Sequence, residues 1–276
     1  MKKEHRVAFS TLEEQQYNRY LEENVLSWFS HLVDQDLYSV IINRNFEVEM
    51  GTTLSAKSVG FEKAEDLRKV SAKNCDDPIM LKHFFGNHYH ENTKDLYSTY
   101  GRKLHRLQQT VFEQGKAVKL IDMLPYNQEF ISYITSYFPI FHPNGEVVAI
   151  HSSSVKSYIL RFQGHIDKPN LQYDSKLLWS KFTQREQEIL FLITNGATQE
   201  QISQILNISR STVSMIIGNQ ICPKFNIPGA NTKILLKEAI NAGFYRHMPP
   251  SLWKPCIIVL NEDLLDDPML KEPSDN

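Results

Sequence analysis

Cysteine is scarce. Only three stand in 276 residues: Cys75, Cys222 and Cys256. They are far apart, odd in number and form no C-x-x-C, which speaks against a disulfide framework and against a zinc site built on cysteine. The pattern suits a reducing compartment. Long apolar runs are missing too. The longest lie near Ile189–Ile193 and Cys256–Leu260, well short of the roughly 20 residues that a membrane span needs. No apolar stretch follows the opening Met-Lys-Lys-Glu-His-Arg, so no signal peptide is readable and a cytoplasmic location is expected. Neither charge dominates. The 30 Lys+Arg and 32 Asp+Glu leave a net charge of −2, which excludes a generally basic coat for nucleic acid but leaves room for a small basic module. Catalytic signatures are also absent. There is no P-loop, no G-x-G-x-x-G and no pair of carboxylates at helix spacing, and His151-Ser152-Ser153-Ser154 is not a G-x-S-x-G elbow but reads as an edge strand alternating in and out. No enzyme is expected.

What remains is an ordinary globular composition, 41% hydrophobic and 22% charged. The length suits about two domains, and such a chain buries roughly 70–75% of its unfolded surface. Charge is uneven along it. Residues 180–247 hold seven Lys+Arg against four Asp+Glu, while residues 248–276 hold two against six. A mildly basic block is thus followed by an acidic tail.

Apolar periodicity predicts the elements. Leu21, Val25, Trp28, Phe29 and Leu32 form one stripe of a helix over 11–33. Leu37–Ile42 and Phe46–Met50 flank the turn Asn43-Arg44-Asn45 as a hairpin. A long helix spans Asp95–Gln114, with Leu96, Tyr100, Leu104, Leu107 and Val111 on one face and Gly115 as its stop. Extended runs follow at Lys116–Leu124, Phe130–Phe141 and Glu146–Tyr158, the last two joined by a turn carrying Asn144-Gly145. Gln163–Lys176 has the composition of a linker.

Helices return after it. Thr183-Gln184-Arg185-Glu186 and Thr198-Gln199-Glu200-Gln201 are capping boxes, in which side chains satisfy the orphan amides of a helix start. Ser209 caps a third helix, with Val213 and Ile217 inward. A last helix runs from about Thr232 to Ala242, with Leu235, Leu236, Ala239 and Ile240 inward. Two short helices joined by a tight turn make a helix-turn-helix. The second would enter a major groove N-terminus first, presenting Arg210, Ser211, Ser214 and Met215. Thr212 and Lys224 complete the candidate contacts, with Thr198 and Gln199 at a helix N-terminus that favours a phosphate.

The ordered string Phe182–Leu190, Asn195–Thr198, Gln201–Ser209 and Thr212-Val213 resembles the LuxR-type, or GerE-like, DNA-binding domain. The resemblance implies double-stranded DNA as partner and a homodimer. This chain departs from the family's pattern where Ser214 and Ile216 replace a common Lys and His. The spacing into Lys224-Phe225-Asn226-Ile227 is one residue long, Pro223 requires the recognition helix to end or bend before it, and Asn231-Thr232 stand where an Arg is usual. Lost cations weaken phosphate contacts, so weak binding at physiological salt is expected unless the protein is dimeric.

The order of two strands, helices, a long helix and three strands over 37–158 resembles a PAS domain. Phe46–Met50 with Gly60–Leu67 and the hairpin Phe141–Glu146 running into Val147–Ile150 carry that likeness. It implies an α+β sensor, a five-stranded antiparallel sheet with helices, followed by the all-α block. It also implies a small-molecule pocket, for which Phe84, Tyr100, Phe130, Tyr133, Tyr137 and Ile150 are candidate linings. For each of them, core filling is the commoner reason for an aromatic or aliphatic at strand spacing. His83, His88, His90 and His105 cluster near Cys75, but His-x-His alone is a weak ligand signal, and no metal or cofactor is assigned. The expected division is an N-terminal helix 1–33, a sensor 34–162, a linker 163–178, a DNA-binding domain 179–247 and an acidic tail 248–276. The function expected is a transcription regulator that senses a signal. The alternative is a PAS-based interaction module whose helix-turn-helix has lost DNA affinity. In the tail, Cys256–Leu260 reads as a strand or a cover for a groove, and the acidic end could lie over the basic helix-turn-helix face.

Overall fold

The computed structural model describes residues 11–74, 77–86, 89–126, 129–157, 179–246 and 248–265. Helix α1, Thr11–Tyr20, runs on through a π turn at Leu21–Leu26 and ends in short turns at Ser27–Phe29 and Ser30–Leu32. Leu21, Val25 and Phe29 recur every four residues and are buried, so the expected stripe forms. Trp28 leaves it: one position from Phe29 on a helix is a rotation of about 100°, and its side chain is 54% exposed.

The hairpin is strand β1, Tyr38–Asn43, against strand β2, Val48–Gly51, with Val40 opposite Gly51. Helix α2, Thr53–Ser58, is capped by the Thr52 hydroxyl, which accepts from the Ser55 amide. Helix α3 spans Pro78–Phe85. The long helix α4, Lys94–Gln114, ends at Gly115, whose φ of +63° is open to glycine at little cost. Strands β3, Val118–Tyr126, β4, Glu129–Phe141, and β5, Val147–Lys156, follow. In the turn before β5 the Asn144 side chain accepts from the Glu146 amide and Gly145 takes positive φ.

The sheet order is β2-β1-β5-β4-β3, then a sixth strand β6, Cys256–Val259, outside β3. The PAS-like five-stranded antiparallel sheet is therefore present, lengthened by a strand from the far C-terminus. One expectation is corrected here, and one alternative left open by the sequence is decided in favour of a strand. His151–Ser154 lie on β5, which is central rather than at an edge, because β1 pairs with it from Tyr38↔Ser154 to Asn43↔Ala149. The segment Cys256–Val259 is a strand paired antiparallel with β3, from Leu120↔Val259 to Met123↔Cys256.

The described residues fall into two compact units. One takes those up to Phe84, Gly101–Lys119 and Thr135–Val155; the other takes Phe85–Tyr100, Leu120–Ile134 and those from Lys156 on. In the first, Leu21, Val25, Phe29, Ile41 and Ala149 form a core cluster. In the second, the helical block comprises α5, Gln184–Thr194, α6, Gln199–Leu206, α7, Arg210–Ile216, and α8, Thr232–Asn241. Its core runs from Phe182, Ile189 and Leu235 to Ile121, Met123 and Phe130 of the strands and Ile258 of β6. The linker stretch 163–178 and the acidic residues beyond Leu265 lie outside the described residues.

Candidate nucleic-acid interface

Local chemistry sets the helix starts. The Thr183 hydroxyl accepts from the Glu186 amide at 3.4 Å, and a Glu186 carboxylate oxygen accepts from the Thr183 amide at 2.7 Å. Thr198 and Gln201 repeat this at 3.2 and 2.9 Å. Helix α6 stops where Asn207 turns left-handed, at φ 50°. Two residues on, the Ser209 hydroxyl accepts from the Thr212 amide at 3.0 Å and starts α7. It also lies 2.7 Å from the Ser211 hydroxyl and 2.8 Å from that of Thr212.

These caps orient α7. Val213, Ile216 and Ile217 are buried in the helical core. Arg210, Ser211, Ser214 and Met215 are exposed and Thr212 is half-buried. At the start of α6, Thr198 is exposed and Gln199 half-buried. The outward face therefore offers one cation, three hydroxyls and a thioether, a mixture that can contact phosphates and base edges.

Lys224, a candidate DNA contact, is also engaged within the protein. Its ammonium bonds the Glu186 carboxylate at 2.5 Å and the Lys181 carbonyl at 2.9 Å, over the Phe182 ring. Burial pushes the Glu186 carboxyl up, but the bonds from Lys224 and Thr183 outweigh it and hold it below the usual carboxylate range. One carboxylate thus caps α5 and anchors the segment after α7. Sequence reading missed this pair because its members are 38 positions apart.

The α-helical pattern gives way before Pro223, within the expectation that the helix end or bend there. Helix α7 passes into a π turn at Ile217–Ile221 and then a last turn at Cys222–Lys224. The Cys222 amide donates to the Ile217 carbonyl, five residues back. A π turn holds one residue more than an α turn, which accounts for the extra residue in the spacing and keeps the proline ring off an α-helical carbonyl. In the last helix, Leu235 and Ala239 are buried as expected, whereas Ile240 is 41% exposed.

Of the candidate pocket linings, Phe84, Tyr137 and Ile150 belong to the first unit, and Tyr100, Phe130 and Tyr133 to the second. Phe84 is half-buried near the Phe61 ring, and Tyr137 and Ile150 are buried. Tyr133 is half-buried. Phe130 packs on Trp253, with ring centroids 5.6 Å apart, and borders a void of about 10 Å³ with Met123, Leu192 and Ile205. That holds about one water. Tyr100 has a polar role that sequence reading missed: its hydroxyl donates to both oxygens of Asp122, at 2.8 and 3.0 Å. Burial pushes the Asp122 carboxyl up to about 7 against that bond. An acidic residue inside the otherwise apolar run Leu120–Leu124 was the available signal.

Of the histidines, His83 stacks on Phe61 and His90 starts a short helical turn at Glu91–Thr93. The His105 ring meets Phe46. His88 and Cys75 lie outside the described residues. Among the described residues no three His, Cys, Asp or Glu could hold a metal ion together, and no helix is long and apolar enough to cross a membrane.

Residues 180–231 match the family model GerE, bacterial regulatory proteins of the luxR family, and are a LuxR-type helix-turn-helix domain. No curated protein matches the chain. Three solved structures are similar to it. One is a Vibrio cholerae VqmA dimer described in the absence of target DNA, 19% identical over 86% of this chain and 96% of that one, with a TM-score of 0.48. A VqmA bound to DPO is 19% identical over 86% and 98%, with a TM-score of 0.47. A phage VqmA–DPO complex is 18% identical over 91% and 100%, with a TM-score of 0.46.

Proposed function

We propose that this chain is a DNA-binding transcription regulator. Residues 179–247 read double-stranded DNA as a homodimer, and the PAS-like block over 34–162 senses a signal such as a small molecule. The last helix α8 supplies dimer contacts, whereas the stripe over residues 21–32 turns Leu21, Val25 and Phe29 into the protein's own core, and no catalytic step is assigned. The reading is carried by the free outer face of α7. A GerE-type helix, properly capped, keeps Arg210, Ser211, Ser214 and Met215 in solvent. A module that had become a pure protein-interaction unit would have no need of a polar, cationic start to this helix.

Genomic-fragment selection tests this, using purified full-length protein and its Arg210→Ala variant at about 50 and 150 mM salt, where phosphate-driven binding changes strongly. Enrichment of a few two-fold symmetric sites by the parent, lost or blurred in the variant, is the expected result. Failure of the folded parent to enrich any site at either salt would sink the reading.

A further inference from the structure

The chain does not stop at the helix-turn-helix. Met248 and Leu252 enter the core of the helical block. The Ser251 hydroxyl donates to the Glu188 carboxylate of α5 at 2.6 Å. The Trp253 ring lies on Phe130 of β4. Strand β6 then adds to β3 over four residue pairs, with Ile257, Ile258 and Val259 buried. On its far side the Gln204 amide of α6 behaves like a neighbouring strand: it donates to the Val259 carbonyl at 3.1 Å and accepts from the Val259 amide at 2.9 Å.

The geometry points to a strap: the segment Met248–Val259 fastens the DNA-reading helices to the edge of the sensor sheet, and its release from β3 frees them. This rests on the function proposed above. The strap reaches α6 at Gln204, on its last turn and a half, and leaves Thr198 at the first turn exposed. It therefore positions the reading head without masking it. A dimer must hold two recognition helices about 34 Å apart to meet successive major grooves. A head tied through β6 to its own sheet inherits a fixed place, whereas one without β6 keeps only the side-chain packing that joins it to Ile121, Met123 and Phe130. The signal route is short. Asp122, which takes the Tyr100 hydroxyl, stands opposite Ile257 in the β3–β6 register. A change at that pair acts directly on the strand the strap grips.

Two preparations test the strap: the chain ended after Lys254, and full-length Gln204→Ala, which keeps every residue of β6. Hydrogen exchange is read first. In the shortened chain, the β3 amides that face β6 should exchange at least about tenfold faster, because local opening then leaves them unpaired; Gln204→Ala should give a smaller rise. Unchanged protection of Leu120–Met123 in both would overturn the strap. Selection from random-sequence DNA is read second. The parent should enrich paired half-sites at one spacing, and the shortened chain the same half-sites at several spacings. One identical spacing in both would overturn the positioning role. Enrichment by neither would overturn the DNA-binding reading and the spacing claim with it, while the exchange result would still decide whether the strap exists.

Discussion

Two carboxylates, a buried Glu186 and a half-buried Asp122, show opposite outcomes of desolvation. Glu186 has an ammonium and a backbone amide beside it, so its ionised form wins. Asp122 is met by the Tyr100 hydroxyl, which does not offset burial, and its carboxyl rises to about 7. For Glu186 the folded value is depressed. Its stabilising contribution is present above the ordinary carboxylate value and is lost as pH falls through the folded one. Lys224→Met should therefore destabilise the helical block by about 1–2 kcal/mol at pH 7, with the difference shrinking in acid; urea unfolding at pH 7 and pH 4 reads this. For Asp122 the sign is reversed. A raised carboxyl contributes in full below the unfolded value near 3.8 and costs stability as pH climbs towards 7. Asp122→Asn should melt above the parent at pH 8 and converge with it near pH 4. Tyr100→Phe, which removes the bond that favours the charged form, should push the Asp122 titration higher still in an NMR pH series.

At the scale of the element, the stretch after α7 illustrates how an insertion is absorbed. The extra residue widens one turn at Ile217–Ile221, and Pro223 enters at the head of the next turn, where its missing amide is tolerated. Deleting Asn219 should close the π turn and drive the proline ring against a carbonyl of a continuous α-helix, at a cost of about 3 kcal/mol. Pro223→Ala alone should change little, and combining it with the deletion should recover most of the loss; chemical denaturation of the three variants measures the cycle. The same stretch shows what sequence reading can reach. Capping boxes, the Asn207 stop and the Ser209 cap are decided within four residues, so the helix-turn-helix and its outward residues were legible. The apolar run at Cys256–Leu260 was legible as a strand, but its partner was not. Pairing of β6 with β3 joins residues more than a hundred positions apart, and no local pattern names a partner across such a distance.

On the scale of the whole molecule, charge and placement govern how DNA would be held. The helical segment 180–247 has seven cations, but Lys224 is bound to Glu186, and Arg185 lies 3.0 Å from a Glu188 oxygen. On the outer face of α7, Arg210 is the sole cation, with Ser214 where a lysine is common in the family. Each phosphate neutralised by a cation steepens the salt dependence of binding by close to one unit in a log–log plot. A dimer that uses two or so cations per protomer should show a slope of about −4, well short of the −10 or so of a strongly electrostatic repressor. Replacing Ser214 with Lys adds one cation per protomer and should steepen the slope to about −6, with tighter binding at every salt concentration. Fluorescence anisotropy on a selected site between about 50 and 200 mM salt gives both slopes. A parental slope near −10 would mean that phosphates are met by cations away from the recognition helix, and Ser214→Lys would then leave the slope almost unchanged.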